Sequence, residues 1–200
     1  MIDGFDLNID FDFLNDESDD ESAFLKSKER TYFDVHDGAE ILSKKADLPQ
    51  DGESLRAISY AGGFSSCSVV LWIANKAKIK QMFVSTLRVG KKEIDAIKDL
   101  HDGGRLDNAS FVLCGISKEN KSLKGKDYGY TEYFEERCAE CGFSWSYAKN
   151  HSKIILLDTS KGKFVIETSS NFNENPKVEQ FCITKSDLIY DFYKSGIFGA

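Results

Sequence analysis

Apolar residues recur along this chain in short runs and at helical spacing, and the changes between them outline its elements. Leu55-Arg56-Ala57-Ile58-Ser59-Tyr60 reads as a strand. Ile94, Ile97 and Leu100 recur every three residues, which predicts an amphipathic helix over 91–102, stopped by Gly103-Gly104. The run Val69-Val70-Leu71-Trp72-Ile73 predicts a buried helix, after a turn at Gly62-Gly63. Residues 82–87 and 111–116 predict strands. A lysine-rich loop follows, with Lys118, Lys121, Lys124 and Lys126. Residues 129–141 read as a helix stopped by Gly142, and strands are expected at 144–149, 152–157, 163–168 and near 178–184. Helices at 37–46 and 186–195 open and close the pattern, with a loop from Asp47 to Ser54 carrying Pro49 and Gly52. Pro49 and Pro176 are the two prolines, so long elements go unbroken. Strands alternating with helices of this length predict an α/β sandwich with a mixed central sheet flanked by helices.

Composition narrows the class. The 200 residues, 41% hydrophobic and 30% charged, can build a sizeable core without a metal or disulfide. No apolar run reaches the roughly 18 residues of a membrane span, and the first residues lack the order of a secretory signal. The expectation is a cytoplasmic protein with no membrane partner. Five cysteines, an odd number, fit reduced thiols better than a disulfide framework.

Net charge changes the picture only when divided along the chain. The total is −7, but residues 1–25 hold nine acids and no base, leaving 26 bases against 24 acids, a net of +2, elsewhere. Residues 1–26 therefore read as an acidic arm, with Phe5, Leu7, Ile9, Phe11, Phe13 and Leu14 among the acids. It is expected to be disordered or to order on a partner: a protein, or the arm's own basic site. Residues 27–53 form an N-terminal extension and 54–200 the main domain. A slightly basic body leaves an anionic partner, nucleic acid included, open.

Candidate chemistry sorts by spacing. Cys138 and Cys141 lie on one helical stripe with Tyr130 and Phe134, which places both in a core, and no second Cys or His pair completes a zinc set. His36 sits in a polar, turn-like segment, and His101 ends a helix where a cation suits the C-terminal dipole. His151 differs. It opens His151-Ser152-Lys153-Ile154-Ile155-Leu156-Leu157-Asp158, and on a strand His151 and Lys153 would share a face. Thr168-Ser169-Ser170-Asn171 and Glu179 follow. Together these offer a nucleophile or base (His151), a fixed cation (Lys153), neutral donors (Ser169, Asn171) and acidic orienters (Asp158, Glu179), the parts for holding and attacking a phosphate. The alternative reading is an exposed polar strand end.

This H-x-K-x4-D run, the Thr168–Asn171 element and the later Glu179 resemble the signature of the phospholipase D superfamily. Thr168 stands where that family usually has glycine. Residues 54 to about 195 resemble its single-motif members from bacteriophages and mobile elements. The resemblance implies a phospholipase D-like α/β sandwich and metal-independent, cofactor-free phosphodiester chemistry through a phosphohistidine. His151 would attack phosphorus, Lys153 and Asn171 would hold the nonbridging oxygens, and Ser169 would assist. Glu179 would orient a histidine, and Asp158 would be structural. A second histidine is needed and the chain has one complete motif, so the resemblance implies a homodimer that pairs two copies of His151. A nuclease is expected first. The rivals are a nucleic-acid-binding protein without turnover, and a scaffold acting through the acidic arm. Lipid hydrolysis is disfavoured by the small size and the lack of an amphipathic membrane helix.

Overall fold

Helix α1 (Val35–Lys45) buries Val35, Gly38, Ala39 and Leu42, a stripe set by steps of three, one and three, and turns its lysines outward. The computed structural model describes residues 35–60, 63–114, 130–173 and 177–199, all within one compact unit of residues 31–200. The acidic arm, the Gly62 half of the expected turn and the basic loop at 118–126 lie outside the described residues. Helix α2 (Ser66–Lys76) follows β1 (Ser54–Ser59), and its residues Cys67 to Ile73 are almost wholly buried. Ser65 caps it, its Oγ accepting from the Ser68 amide while Ser68 Oγ accepts from the Ser65 amide. Helix α1 packs on α2 where Gly38 lies against Ser68. A Cβ at Gly38 would fall 2.5 Å from Ser68 Oγ, so only glycine permits this approach.

Strands β2 (Ile79–Thr86), β3 (Leu106–Cys114) and β4 (Ser144–Ala148) are parallel and alternate with helices α3 (Lys91–Asp102) and α4 (Tyr130–Cys141). Strands β5 (Ile154–Thr159), β6 (Gly162–Thr168) and β7 (Glu179–Lys185) are antiparallel neighbours, with β5 running against β2. The described strands make one mixed sheet in the order β1-β7-β6-β5-β2-β3-β4. Helices α1 to α4 cover one face, over a core that includes Trp72, Phe111, Leu157 and Ile183. Helix α5 (Asp187–Tyr193) and a π-helical turn (Lys194–Phe198) cover the middle of the other face, over Ile154, Leu156 and Val165. No helix among the described residues is long and apolar enough to cross a membrane.

Helix α3 occupies the expected span. Three strands do not start where the apolar runs placed them. Strand β3 begins at Leu106, before the apolar run, because exposed Asp107 and Asn108 lie between buried Leu106 and Ala109. Strand β2 begins at Ile79, where exposed Lys80 and half-buried Gln81 mask the alternation. Strand β5 begins only at Ile154, which moves His151 and Lys153 off the strand.

Candidate functional site

The parallel strands end at one edge of the sheet, and their antiparallel neighbours bring the polar motif residues to the same edge. Ser85, near the end of β2, pairs with Ile154, the first residue of β5, and Ile154 pairs with Glu167 near the end of β6. Glu179 begins β7 opposite Ser59 of β1. In open α/β sheets the ends of the parallel strands are where loops gather and ligands bind.

His151 is exposed and lies in the segment between β4 and β5, correcting the expectation that it shares a strand face with Lys153. This segment lacks a regular ladder and is held by side chains instead. Asn150 Nδ2 donates to Ser85 Oγ at 2.7 Å and to the Val112 carbonyl at 3.1 Å. Asn150 Oδ1 accepts from the Ser152 amide at 2.9 Å and from Ser152 Oγ at 2.7 Å. The Lys153 carbonyl accepts from the Thr168 amide at 3.2 Å, which joins the histidine segment to the second motif element. The Lys153 ammonium donates to the His151 carbonyl at 3.1 Å, and Lys153 has no ion-pair partner among the described residues.

The second element, Thr168–Asn171, is anchored equally well. Thr168 Oγ1 accepts from the Ser170 amide at 2.9 Å, so the hydroxyl closes the turn at the position where glycine was expected. Phe172 is buried; its amide donates to Thr86 Oγ1 at 3.0 Å and its carbonyl accepts from the Gly90 amide at 2.9 Å. Ser169 Oγ donates to Glu179 Oε2 and accepts from the Gln180 amide at 3.0 Å. Glu179 is buried, and this bond shares its charge. Asn171 Oδ1 is buried with no hydrogen-bond partner among the described residues. Lys153, Thr168 and Ser170 pack close to Ser66, Ser85 and Thr86, with Val84, Ile155 and Phe172 between them, in a crevice too narrow to admit water. Ser66 belongs to the first turn of α2, whose dipole adds a partial positive charge there.

Asp158 does not join this group. It lies four residues along β5, about 13 Å away at a strand's rise, where Lys80 Nζ reaches its carboxylate at 3.9 Å. The motif is therefore split between the two edges of the sheet.

Sequence reasoning passed over Asn150, Ser85 and Thr86. Asn150 was visible as the neighbour of His151, and Ser85-Thr86 as small polar residues closing an apolar strand.

The other histidine and cysteine residues lie elsewhere. Cys138 is fully buried, as the stripe predicts, whereas Cys141, one turn nearer the helix end, is half-buried and packs against the margin of the core. Burial, with Cys141 and Glu135 nearby, pushes the Cys138 thiol up to about 12. Potential ligand atoms of His101, Asp102 and Cys141 lie within 4.8 Å of one another, a proximity that forty residues of separation hid from the sequence. That group sits at the C-terminal ends of α3 and α4, across the sheet from His151. Two of its members already have partners: Lys98 Nζ lies 2.6 Å from Asp102 Oδ2, and His101 Nδ1 lies 3.1 Å from the Leu106 carbonyl.

No family model and no curated protein sequence matches the chain. Solved structures do. A polyphosphate kinase from Porphyromonas gingivalis matches with a TM-score of 0.52 and 14% identity, over 74% of this chain and 26% of that one. The phosphatidylserine synthase of Haemophilus influenzae Rd KW20 matches with a TM-score of 0.52 and 14% identity, over 76% of this chain and 39% of that one. This chain thus spans well under half of either neighbour. At this identity their likeness concerns the fold alone. The described sheet and its flanking helices have a phospholipase D-like fold.

Proposed function

We propose that this protein is a metal-independent phosphodiesterase, a nuclease, in which His151 is the nucleophile. The observation that carries the proposal is the meeting of His151-Ser152-Lys153 with Thr168–Asn171 at one edge of a phospholipase D-like sheet. A neutral His151 imidazole nitrogen attacks phosphorus, and the bond from phosphorus to the leaving oxygen breaks. A second imidazolium gives that oxygen a proton, then takes one from a water whose oxygen attacks phosphorus, forming a phosphorus–oxygen bond and breaking the phosphorus–nitrogen bond. The products are an alcohol, a phosphomonoester and the restored His151. Lys153 and Asn171 bind the nonbridging oxygens as charge develops there. Glu179, fixed by Ser169, orients a histidine, and Asp158 is structural.

The second imidazolium comes from another copy of the chain. His36 is exposed on α1 and His101 ends α3 at the far edge, and neither has a Lys two residues on. An isologous dimer supplies the missing histidine by symmetry. Nucleic acid is the polymer assigned, and the acidic arm of residues 1–26 competes with it for the basic body.

Plasmid cleavage in EDTA tests this reading. The parent is expected to cut, and His151→Ala to retain less than about a thousandth of the rate. Loss of cleavage in EDTA that zinc or magnesium restores overturns the metal-free mechanism. DNA retention without cleavage identifies a binding protein. A 22.5 kDa monomer that cleaves DNA would refute the dimer.

A further inference from the structure

We infer that Asn150 is the positioning residue that sets the backbone of His151, through a closed ring of side-chain hydrogen bonds with Ser85 and Ser152. The inference rests on the reading of His151 as the nucleophile, but the ring is a property of the fold in its own right.

His151 must be held precisely, yet it precedes β5 and has no regular ladder around it. The ring replaces the ladder. Asn150 Nδ2 donates to Ser85 Oγ at 2.7 Å, and Ser152 Oγ donates to Asn150 Oδ1 at 2.7 Å. Ser85 Oγ and Ser152 Oγ are 2.5 Å apart. The Ser152 proton is committed to Asn150, so Ser85 donates across this last contact. Every hydroxyl then donates once and accepts once, and the three bonds polarise one another in the same sense.

The remaining capacity of the Asn150 amide is also used. Its second N–H goes to the Val112 carbonyl at 3.1 Å, and its oxygen takes the Ser152 amide at 2.9 Å. Two donors and two acceptor positions are thereby filled, which no other side chain of this size could do in this setting. Aspartate offers no N–H, serine lacks the reach, and leucine leaves the Val112 carbonyl and the Ser152 amide unpaired.

The consequence falls on the residue in between. Asn150 is tied to β2 and β3, Ser152 to β2, and the Lys153 carbonyl to the Thr168 amide of β6. His151 is thus clamped on both sides while its own side chain stays exposed. Its position relative to the Thr168–Asn171 element follows from these ties. Ser85 is buried and carries the ring on the rigid part of the sheet. A shift of about 1 Å in a reacting group can cost about 100-fold in rate, so loss of the ring should appear in turnover more than in substrate binding.

Two measurements on the full chain test the inference. The first is amide hydrogen exchange across residues 149–154, which does not depend on activity. Asn150→Ala and Asn150→Asp are expected to speed exchange in this segment by about tenfold or more, with the β6 and β7 amides unchanged. Protection at the parent level in both variants overturns the inference. The second is steady-state cleavage of a phosphodiester. Asn150→Ala should lower kcat by about 10- to 100-fold with KM unchanged, and Ser85→Thr, which keeps the hydroxyl, should retain more kcat than Ser85→Ala. A raised KM with parent kcat would show that Asn150 does not position His151 for reaction. Should Asn150→Ala fail to fold, Ser152→Ala removes only the ring hydroxyl and is read in the same way. If the parent itself does not cleave, the nuclease reading fails, while the exchange measurement still decides the positioning role.

Discussion

The two edges of the sheet are built from the same strands but held by different interactions. At the edge that carries His151, loops are fixed by hydrogen bonds that use no cation: Asn150 to Ser85, Phe172 to Thr86, Ser170 to Thr168, and Ser169 to the Glu179 carboxylate. At the opposite edge the side chains form ion pairs, Lys78 with Asp107 at 2.7 Å, Lys163 with Asp191 at 2.9 Å and Lys185 with Asp51 at 2.8 Å. Ion pairs neutralise their cations. Scaffolds that use no cation leave Lys153 with its charge available, which a site for an anion requires. Asp158, the last residue of the motif, sits with Lys80 among the paired charges.

The largest expected effect separates the motif's two ends. His151→Ala should lower turnover by several orders of magnitude, whereas Asp158→Asn should change it less than about threefold, because the Lys80–Asp158 pair is partly exposed and long. Equal losses in the two variants, measured as initial rates, would erase the functional difference between the edges.

Stability should separate them next. Ser85→Ala removes a buried hydroxyl and strands one Asn150 N–H, a cost of about 1–3 kcal/mol. Asp107→Ala removes half of a pair that is about half exposed on each side and should cost under about 1 kcal/mol. Urea unfolding at two salt concentrations checks both. The Asp107 effect should shrink with salt, and the Ser85 effect should not.

A smaller effect concerns alkaline pH. The Cys138 thiol is pushed up to about 12 by burial and by Cys141 and Glu135, and the Tyr190 phenol to about 12 by burial and then Asp158 and Asp191. The Tyr193 phenol rises to about 12 through its hydrogen bond to Glu167, with burial second. These groups ordinarily ionise at 9.0 and 10.0. The folded state binds their protons more tightly than the unfolded state. Their contribution is full below pH 9 and is lost as pH rises towards 12. The urea midpoint should therefore fall across this window, and a midpoint that holds steady contradicts the assignment.

The smallest expected effect belongs to the acidic arm. Deleting residues 1–25 removes nine negative charges and should tighten binding of a labelled oligonucleotide at low salt. The gain should fade as the Debye length shortens to about 8 Å at physiological ionic strength. Equal affinities at low salt argue that the arm serves another partner.

Much of this arrangement was legible before folding. The three-residue spacing of Ile94, Ile97 and Leu100 fixed α3, because a helix with one buried face must repeat its apolar residues. Apolar runs and the glycine stops set the order of helices and strands, and so the layered architecture. His151, Lys153 and the Ser169–Asn171 element could be grouped from residue chemistry and spacing as candidates for one site, and the structure brings the two segments together. Hydrophobic runs located the cores of β2 and β3 but not their starts, since Asp107 and Lys80 project from open positions that periodicity does not count.

What only the tertiary structure decided was which residues meet. Strand pairing joins positions far apart in sequence, and a strand's own pattern says which face it buries but not which distant strand it lies beside. Strand pairing placed Ser85 of β2 beside Asn150 and Ser152, 65 and 67 residues later, so that its hydrogen bonds reach the residues on either side of His151. The antiparallel course of β5 carried Asp158 to the far edge, although eight residues of sequence had grouped it with His151 as one motif. Side-chain chemistry was written locally; its division between two edges followed from the direction of the strands.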